Sequence, residues 1–180
     1  MNVRSRSGTN AFRIAIAACL LSVAVATVTA RTSGQAQDAS KVAGKAPTVL
    51  FMCPHGAAKS VLASAYFQRL AKERGLNVRV KSAGTEPDPV VAPTVAAHLV
   101  KQGYAIPITT PERASKDDVV TADVIISIGC DLTSYPATRG KLVKWDEVPS
   151  PSQNFTAADE AIRKRVIALI EEFARDPRFR

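Results

Sequence analysis

Residues 48–60 read TVLFMCPHGAAKS, and residues 61–70 continue as VLASAYFQRL. The run from Thr48 to Cys53 is apolar, with β-branched and aromatic members, and is bounded by Pro47 and Pro54. It is too short for a helix, so it predicts a strand buried on both faces. Beyond the loop, Leu62, Ala63, Tyr66, Phe67 and Leu70 recur at helical spacing and predict a helix that stops at Gly75. Strand, glycine-bearing loop and helix form the first half of a βαβ unit.

The pattern continues outward. Residues 77–84, NVRVKSAG, alternate apolar with polar and predict a second strand, after which Pro87, Asp88 and Pro89 force a loop. A helix is expected over residues 93–102, opened by Pro93 and closed by Gly103. DVIISIG (residues 123–129) predicts another buried strand and KLVKW (141–145) a shorter one. The last helix is expected to start near Thr156, whose partner Asp159 completes a capping-box pattern, and to bury Ile162, Val166, Leu169, Ile170 and Phe173. The alternation implies an α/β three-layer sandwich around a four-stranded parallel sheet, one domain over residues 47–180.

The amino-terminal residues have a different composition. Arg4, Arg6 and Arg13 precede an uncharged apolar run over residues 14–30, with Val28 and Ala30 placed as the −3 and −1 positions of a cleavage site. Residues 1–30 are therefore expected to be an export signal, and an uncleaved anchor is the alternative. IAAC, residues 16–19, imitates a lipoprotein box only weakly, because the hydrophobic run continues past it. Residues 31–46 are small and polar without apolar period and are expected to form a flexible linker. The expected product is periplasmic or secreted, touching a membrane only through an uncleaved signal.

Of the formal charge of +8, three positive charges belong to the signal, and the +5 that remains favours anionic partners. Only ten aromatics occur and they are scattered, which argues against nucleic-acid binding. Cys19 leaves with the signal, and Cys53 and Cys130 alone make no disulfide framework.

In a parallel sheet the turn after the first strand is a favoured ligand site. Backbone amides from His55 through Gly56, Ala57 and Ala58 to Lys59 can converge there on an anion, and the helix adds the positive end of its dipole. Both would favour a thiolate at Cys53, with Ser60 bonded to it. A cysteine closing a buried strand is otherwise often a small hydrophobe, and the C-x5-K-S loop is what turns the reading toward chemistry. His55 reads either as an anion contact or as a solvated loop residue. His98 reads as an exposed polar residue. Cys53 and His55 alone supply too few ligands for a metal, and no cofactor is expected.

VLFMCPHGAAKS resembles the phosphate-binding loop of the low-molecular-weight protein tyrosine phosphatase and arsenate reductase superfamily, whose pattern is C-x5-R-[ST] after the first strand. SAGTEPDPVVAPTVAAHLVKQGYAI (residues 82–106), ADVIISIGCD (122–131) and RGKLVKWDEVPSP (139–151) resemble that family's later segments in order. The resemblance implies a flavodoxin-like sheet of strand order 2-1-3-4 and a metal-independent oxyanion site.

This chain departs from the family pattern in three places. Lys59 stands for the arginine, so a planar fork becomes a point charge on a flexible stem. His55, Gly56 and Ala58 occupy positions usually held by glycine, asparagine and, in many members, a second cysteine. Ser150-Pro151 stands where the family's Asp-Pro might align, which leaves Asp146 or Glu147 as the expected general acid.

The leading expectation is phosphomonoester hydrolysis: Cys53 attacks phosphorus, Lys59 and the loop amides hold the oxygens, and Asp146 or Glu147 protonates the leaving group. A thiol-dependent arsenate reductase using Cys53 and Cys130 is the rival enzyme. A non-catalytic oxyanion-binding protein is the rival of another class. Substrate and oligomeric state are left open.

Overall fold

The computed structural model describes residues 45–180; the expected export signal and all but the last two linker residues lie outside them. Four strands, β1 (Thr48–Cys53), β2 (Arg79–Gly84), β3 (Val124–Ser127) and β4 (Lys141–Lys144), alternate with helices α1 (Lys59–Glu73), α2 (Pro93–Lys101), α3 (Lys116–Thr121) and α4 (Phe155–Arg175), and a 3-10 turn closes the chain at Pro177–Phe179. All strand pairs are parallel and the sheet order is β2-β1-β3-β4, the flavodoxin-like order expected.

The central strand β1 is buried along its whole length, as its apolar run requires, whereas the edge strand β4 is mostly exposed. Alternation along β1 divides the core. Val49, Phe51 and Cys53 join Val124 and Ile126 beneath α1, α2 and α4, while Leu50, Met52 and Ile125 meet Val119 and Ala122 of the α3 region on the other face. Aromatic rings pin the first layer: Phe51 and Phe67 centroids are 5.4 Å apart, Phe67 and Phe173 5.6 Å, and Phe173 stacks on Phe179 at 4.0 Å. Burying each such ring contributes about 1.5–3 kcal/mol.

Register pairs Cys53 with Gly84 and Met52 with Ser127, so β1, β2 and β3 end at the same edge of the sheet. That edge is where an open parallel sheet receives ligands.

Helix α3 is absent from the sequence expectation, although Ser115 and Asp118 form a complete capping box at its start. Helix α4 begins one residue earlier than expected, and its cap is Asn154, whose side chain accepts from the Ala157 amide. Asp159 is therefore free of capping duty and is buried instead. It accepts from the Tyr66 hydroxyl and lies 3.5 Å from His98 Nε2 and 3.4 Å from Arg163 Nη2. Arg163 also donates to the Tyr104 hydroxyl at 3.2 Å and its guanidinium lies 4.4 Å from the Tyr66 ring centroid.

These partners compensate a buried carboxylate that would otherwise be costly. They also tie α1, α2 and α4 together through side chains. His98 is thus not the exposed polar residue expected: it lies 3.1 Å from the Tyr66 hydroxyl and packs edge-on to Phe155. Among the described residues no helix is long and apolar enough to cross a membrane.

Candidate active site

A cavity of about 370 Å³ opens where β1 ends, lined by Cys53, Pro54, His55, Ala57, Ala58 and Lys59, by Asp88, Ala92 and Thr94, and by Ser150, Pro151 and Ser152. The expected loop thus forms one wall. The chain that follows β2 forms the second, and the segment before α4 the third.

Cys53 is almost fully buried, with Sγ 3.3 Å from the hydroxyl of Ser60, itself fully buried in the first turn of α1. As a thiol, Cys53 donates to that oxygen; as a thiolate it accepts the Ser60 proton, which stabilises the anion. Helix α1 has Ala58 at its N-cap and no acid in its first turn, and α2 likewise has Ala92 at its N-cap. Neither cap has a side-chain acceptor; in α1 this leaves first-turn amides for a ligand, whereas in α2 Pro93 has no amide hydrogen and Val95 donates to the Ala92 carbonyl. The other two helices, α3 and α4, are capped by Ser115 and Asn154.

The loop is held by its neighbour rather than by side chains of its own. Glu86 donates its amide to the Pro54 carbonyl at 2.8 Å, Asp88 to His55 at 3.0 Å and Ala92 to Ala57 at 3.0 Å. Gly56, at φ +61°, packs its backbone directly against Gly84. His55 faces Asp88 across the same seam, with Nδ1 3.3 Å from Oδ1.

Lys59 reaches toward the turn after β3. Its Nζ lies 3.0 Å from where a side chain on Gly129 would begin, so the glycine lets the ammonium approach that turn closely. Among the described residues it has no carboxylate partner within salt-bridge distance, although seven other lysine and arginine side chains do.

Cys130 follows Gly129 and is half-buried. Burial first, and then the charge of the neighbouring Cys53, push its thiol up to about 11, while Lys59 works in the opposite direction. Cys130 is not among the residues lining the cavity, although the charges of Cys53 and Lys59 reach its thiol.

The two expected general acids are not among the cavity-lining residues. Trp145 and Val148 are both buried, and the turn between them exposes Asp146 and Glu147 to solvent. Glu147 pairs with Arg165, whose guanidinium holds its carboxyl below the usual range, so it carries no proton to give near neutral pH. Ser150, Pro151 and Ser152 are what this segment presents to the cavity. The carboxylate that does line it is Asp88, which the sequence reading had placed only in a loop.

The chain matches the sequence model of the low molecular weight phosphotyrosine protein phosphatases over residues 48–176. A putative arsenate reductase of Halobacterium salinarum is 25% identical over 131 residues, 70% of this chain and 92% of that protein. A thioredoxin-dependent arsenate reductase structure from Corynebacterium glutamicum is 30% identical with a TM-score of 0.63, covering 74% of this chain and 64% of that one. The chain thus spans a little under two thirds of the Corynebacterium protein. A low molecular weight phosphotyrosine phosphatase of Vibrio cholerae O395 shares the fold at 22% identity and a TM-score of 0.64, covering 73% of this chain and 99% of that one. Members of this group are cysteine-dependent phosphatases or arsenate reductases, and Cys53 is present here. The protein therefore belongs to the low molecular weight phosphotyrosine protein phosphatase family.

Proposed function

We propose that this protein hydrolyses phosphomonoesters through a cysteinyl-phosphate intermediate at the cavity lined by Cys53. The observation that carries this reading is the pairing of Cys53 with Ser60, at 3.3 Å, beside a cavity lined by Ala58 and Lys59 at the uncapped start of α1. In this reading the sulfur attacks, and the loop and helix amides hold the phosphoryl oxygens. The Cys53 thiolate electron pair forms the S–P bond while the ester oxygen leaves with the P–O pair and takes a proton. Water then attacks phosphorus, gives up a proton, and the S–P pair returns to Cys53 with Ser60 stabilising it. Lys59 supplies positive charge beside the oxygens without the two-edged grip of a guanidinium. Turnover of an aryl phosphate that disappears in Cys53→Ser supports the reading. Phosphate binding without turnover would instead identify a non-catalytic oxyanion-binding protein.

Arsenate reduction is the second reading, favoured by a second thiol, Cys130, within electrostatic reach of Cys53 and by the identity to reductases. Cys53 would displace a hydroxyl from arsenic, and Cys130 would then attack the Cys53 sulfur. Two electrons would pass to arsenic, arsenite would leave, and a disulfide for an external dithiol to reduce would remain. It ranks second because a thiol titrating at about 11 holds on the order of one part in ten thousand thiolate at pH 7. Arsenite production that fails in Cys130→Ser would reverse the order.

Export accompanies either reading, supported by the arginines and apolar run of residues 1–30. Mature protein beginning near Arg31 supports it. An intact Met1 on cytoplasmic protein refutes it.

A further inference from the structure

The cavity holds a nucleophile and positive charge, but the acidic turn at Asp146 and Glu147 is not among its lining residues. A phosphomonoester with a poor leaving group needs a proton on its departing oxygen. Among the described residues lining the cavity, only His55 and Asp88 combine an imidazole or carboxyl group with a place at its rim. They are paired, Nδ1 to Oδ1 at 3.3 Å, and the Asp88 amide donates to the His55 carbonyl at 3.0 Å.

The double tie is specific in its effect. The backbone bond fixes the separation of the two residues, and further bonds from Glu86 to Pro54 and from Ala92 to Ala57 hold the segments in register on either side. Asp88 Oδ1 lies within ion-pair distance of Nδ1, and Nε2 makes no hydrogen bond among the described residues. Both side chains remain more than half exposed, 65% and 51%, so the ring exchanges protons with water between turnovers. The other ionisable groups lining the cavity are Cys53, which attacks, and Lys59, which is cationic. The opposite wall presents Ser150 and Ser152, neither acidic nor basic.

We infer that His55, oriented by Asp88, is the proton donor to the leaving group and the proton acceptor from water in the second step. This rests on the phosphomonoester reading. In the first step the protonated ring gives its Nε2 proton to the ester oxygen as the P–O bond breaks, and becomes neutral imidazole. In the second it takes a proton from the attacking water as the O–P bond forms and the S–P bond breaks. Asp88 is a positioning residue that stabilises the cationic ring.

The test uses the full chain with aryl phosphates whose phenols range from a strongly acidic dinitrophenol to unsubstituted phenol. His55→Gln is expected to lose about 10²–10⁴-fold in kcat on phenyl phosphate and only a few-fold on the dinitrophenyl ester, whose leaving group departs unprotonated. Asp88→Asn is expected to follow the same pattern with a loss about tenfold smaller than that of His55→Gln. The alkaline limb of the wild-type kcat profile on phenyl phosphate should be missing in His55→Gln. Inorganic phosphate should still protect Cys53 from alkylation in His55→Gln, because the backbone amide at position 55 is retained.

An equal loss on every ester, or no loss on any, overturns the assignment while wild-type turnover keeps the phosphatase reading. Loss of phosphate protection in His55→Gln also overturns it, making His55 an anion contact. A wild type that hydrolyses none of the esters removes both.

Discussion

Gly56 and Gly84 pack backbone to backbone: a Cβ on Gly56 would lie 2.8 Å from the Gly84 amide nitrogen, and one on Gly84 would lie 2.7 Å from that of Gly56. The anion loop and the turn ending β2 are thus seated on each other, and two glycines far apart in sequence serve one contact. Gly56 also stands at φ +61°, where an L side chain costs about 1–2 kcal/mol before any clash. Gly56→Ala is expected to lower stability by more than that, because the obstructing atoms are backbone and cannot swing away. Activity should fall further than stability, since the loop must move to relieve the contact. Paired thermal unfolding and aryl phosphate kinetics check this; an unchanged Tm would mean the seam is looser than the distances state.

The thiols provide a second prediction. Cys53 lines the cavity beside Ser60, while the Cys130 thiol is pushed up to about 11 by burial and then by the Cys53 charge. At neutral pH, iodoacetamide should modify Cys53 well before Cys130, and phosphate or arsenate should slow that reaction alone. Peptide mapping by mass spectrometry reads both sites. Equal rates, indifferent to oxyanions, would show that no anion site exists at the loop.

The fold was legible because its elements announce themselves locally. Pro47 and Pro54 bracket β1, and Gly75 and Gly103 follow the ends of α1 and α2. What escaped was short or long-range. Helix α3 spans only Lys116–Thr121, too brief for an apolar period, and its sole signal was Ser115 with Asp118. His98 read as an exposed residue and Asp159 as a capping partner of Thr156, because the residue that binds both, Tyr66, sits on another helix. The Cys53, Ser60 and Lys59 placement followed from the loop, whereas Asp88 could not be assigned to the cavity from sequence. Its position depends on amide bonds between residues 85–92 and 54–57 that only the assembled sheet creates.

Alkaline pH should unfold the protein in a specific window. Burial, then the bond to Asp159, raise the Tyr66 phenol above its ordinary value, and the Cys130 thiol rises from 9.0 to about 11. Both groups are neutral when protonated and hold their protons more tightly folded than unfolded. Their contribution to stability is therefore full below the unfolded values and is lost as pH climbs through the folded ones. Tm should decline between about pH 9 and 11, and Cys130→Ser should make that decline shallower. A flat Tm across the window would show that neither group is buried as described.

Lys59 decides whether the cradle is adapted or impaired. Its Nζ lies 3.0 Å from where a Cβ on Gly129 would stand, and it lines the cavity with Cys53. A guanidinium is wider and planar, and its two edges need room that the Gly129 turn does not leave, so Lys59→Arg is expected to push the head group toward Cys53 or out of the cavity. Both kcat/KM for an aryl phosphate and phosphate protection of Cys53 should fall, by about tenfold, equivalent to about 1.4 kcal/mol. Gly129→Ala attacks the same contact from the other side, adding a methyl at 3.0 Å from Nζ and strain at φ +70°, and should lower both quantities in the same sense. If Lys59→Arg instead raises kcat/KM while Gly129→Ala lowers it, the lysine is the limiting feature of a site otherwise shaped for arginine. The two variants together therefore separate a loop rebuilt around an ammonium from one that merely lost its fork.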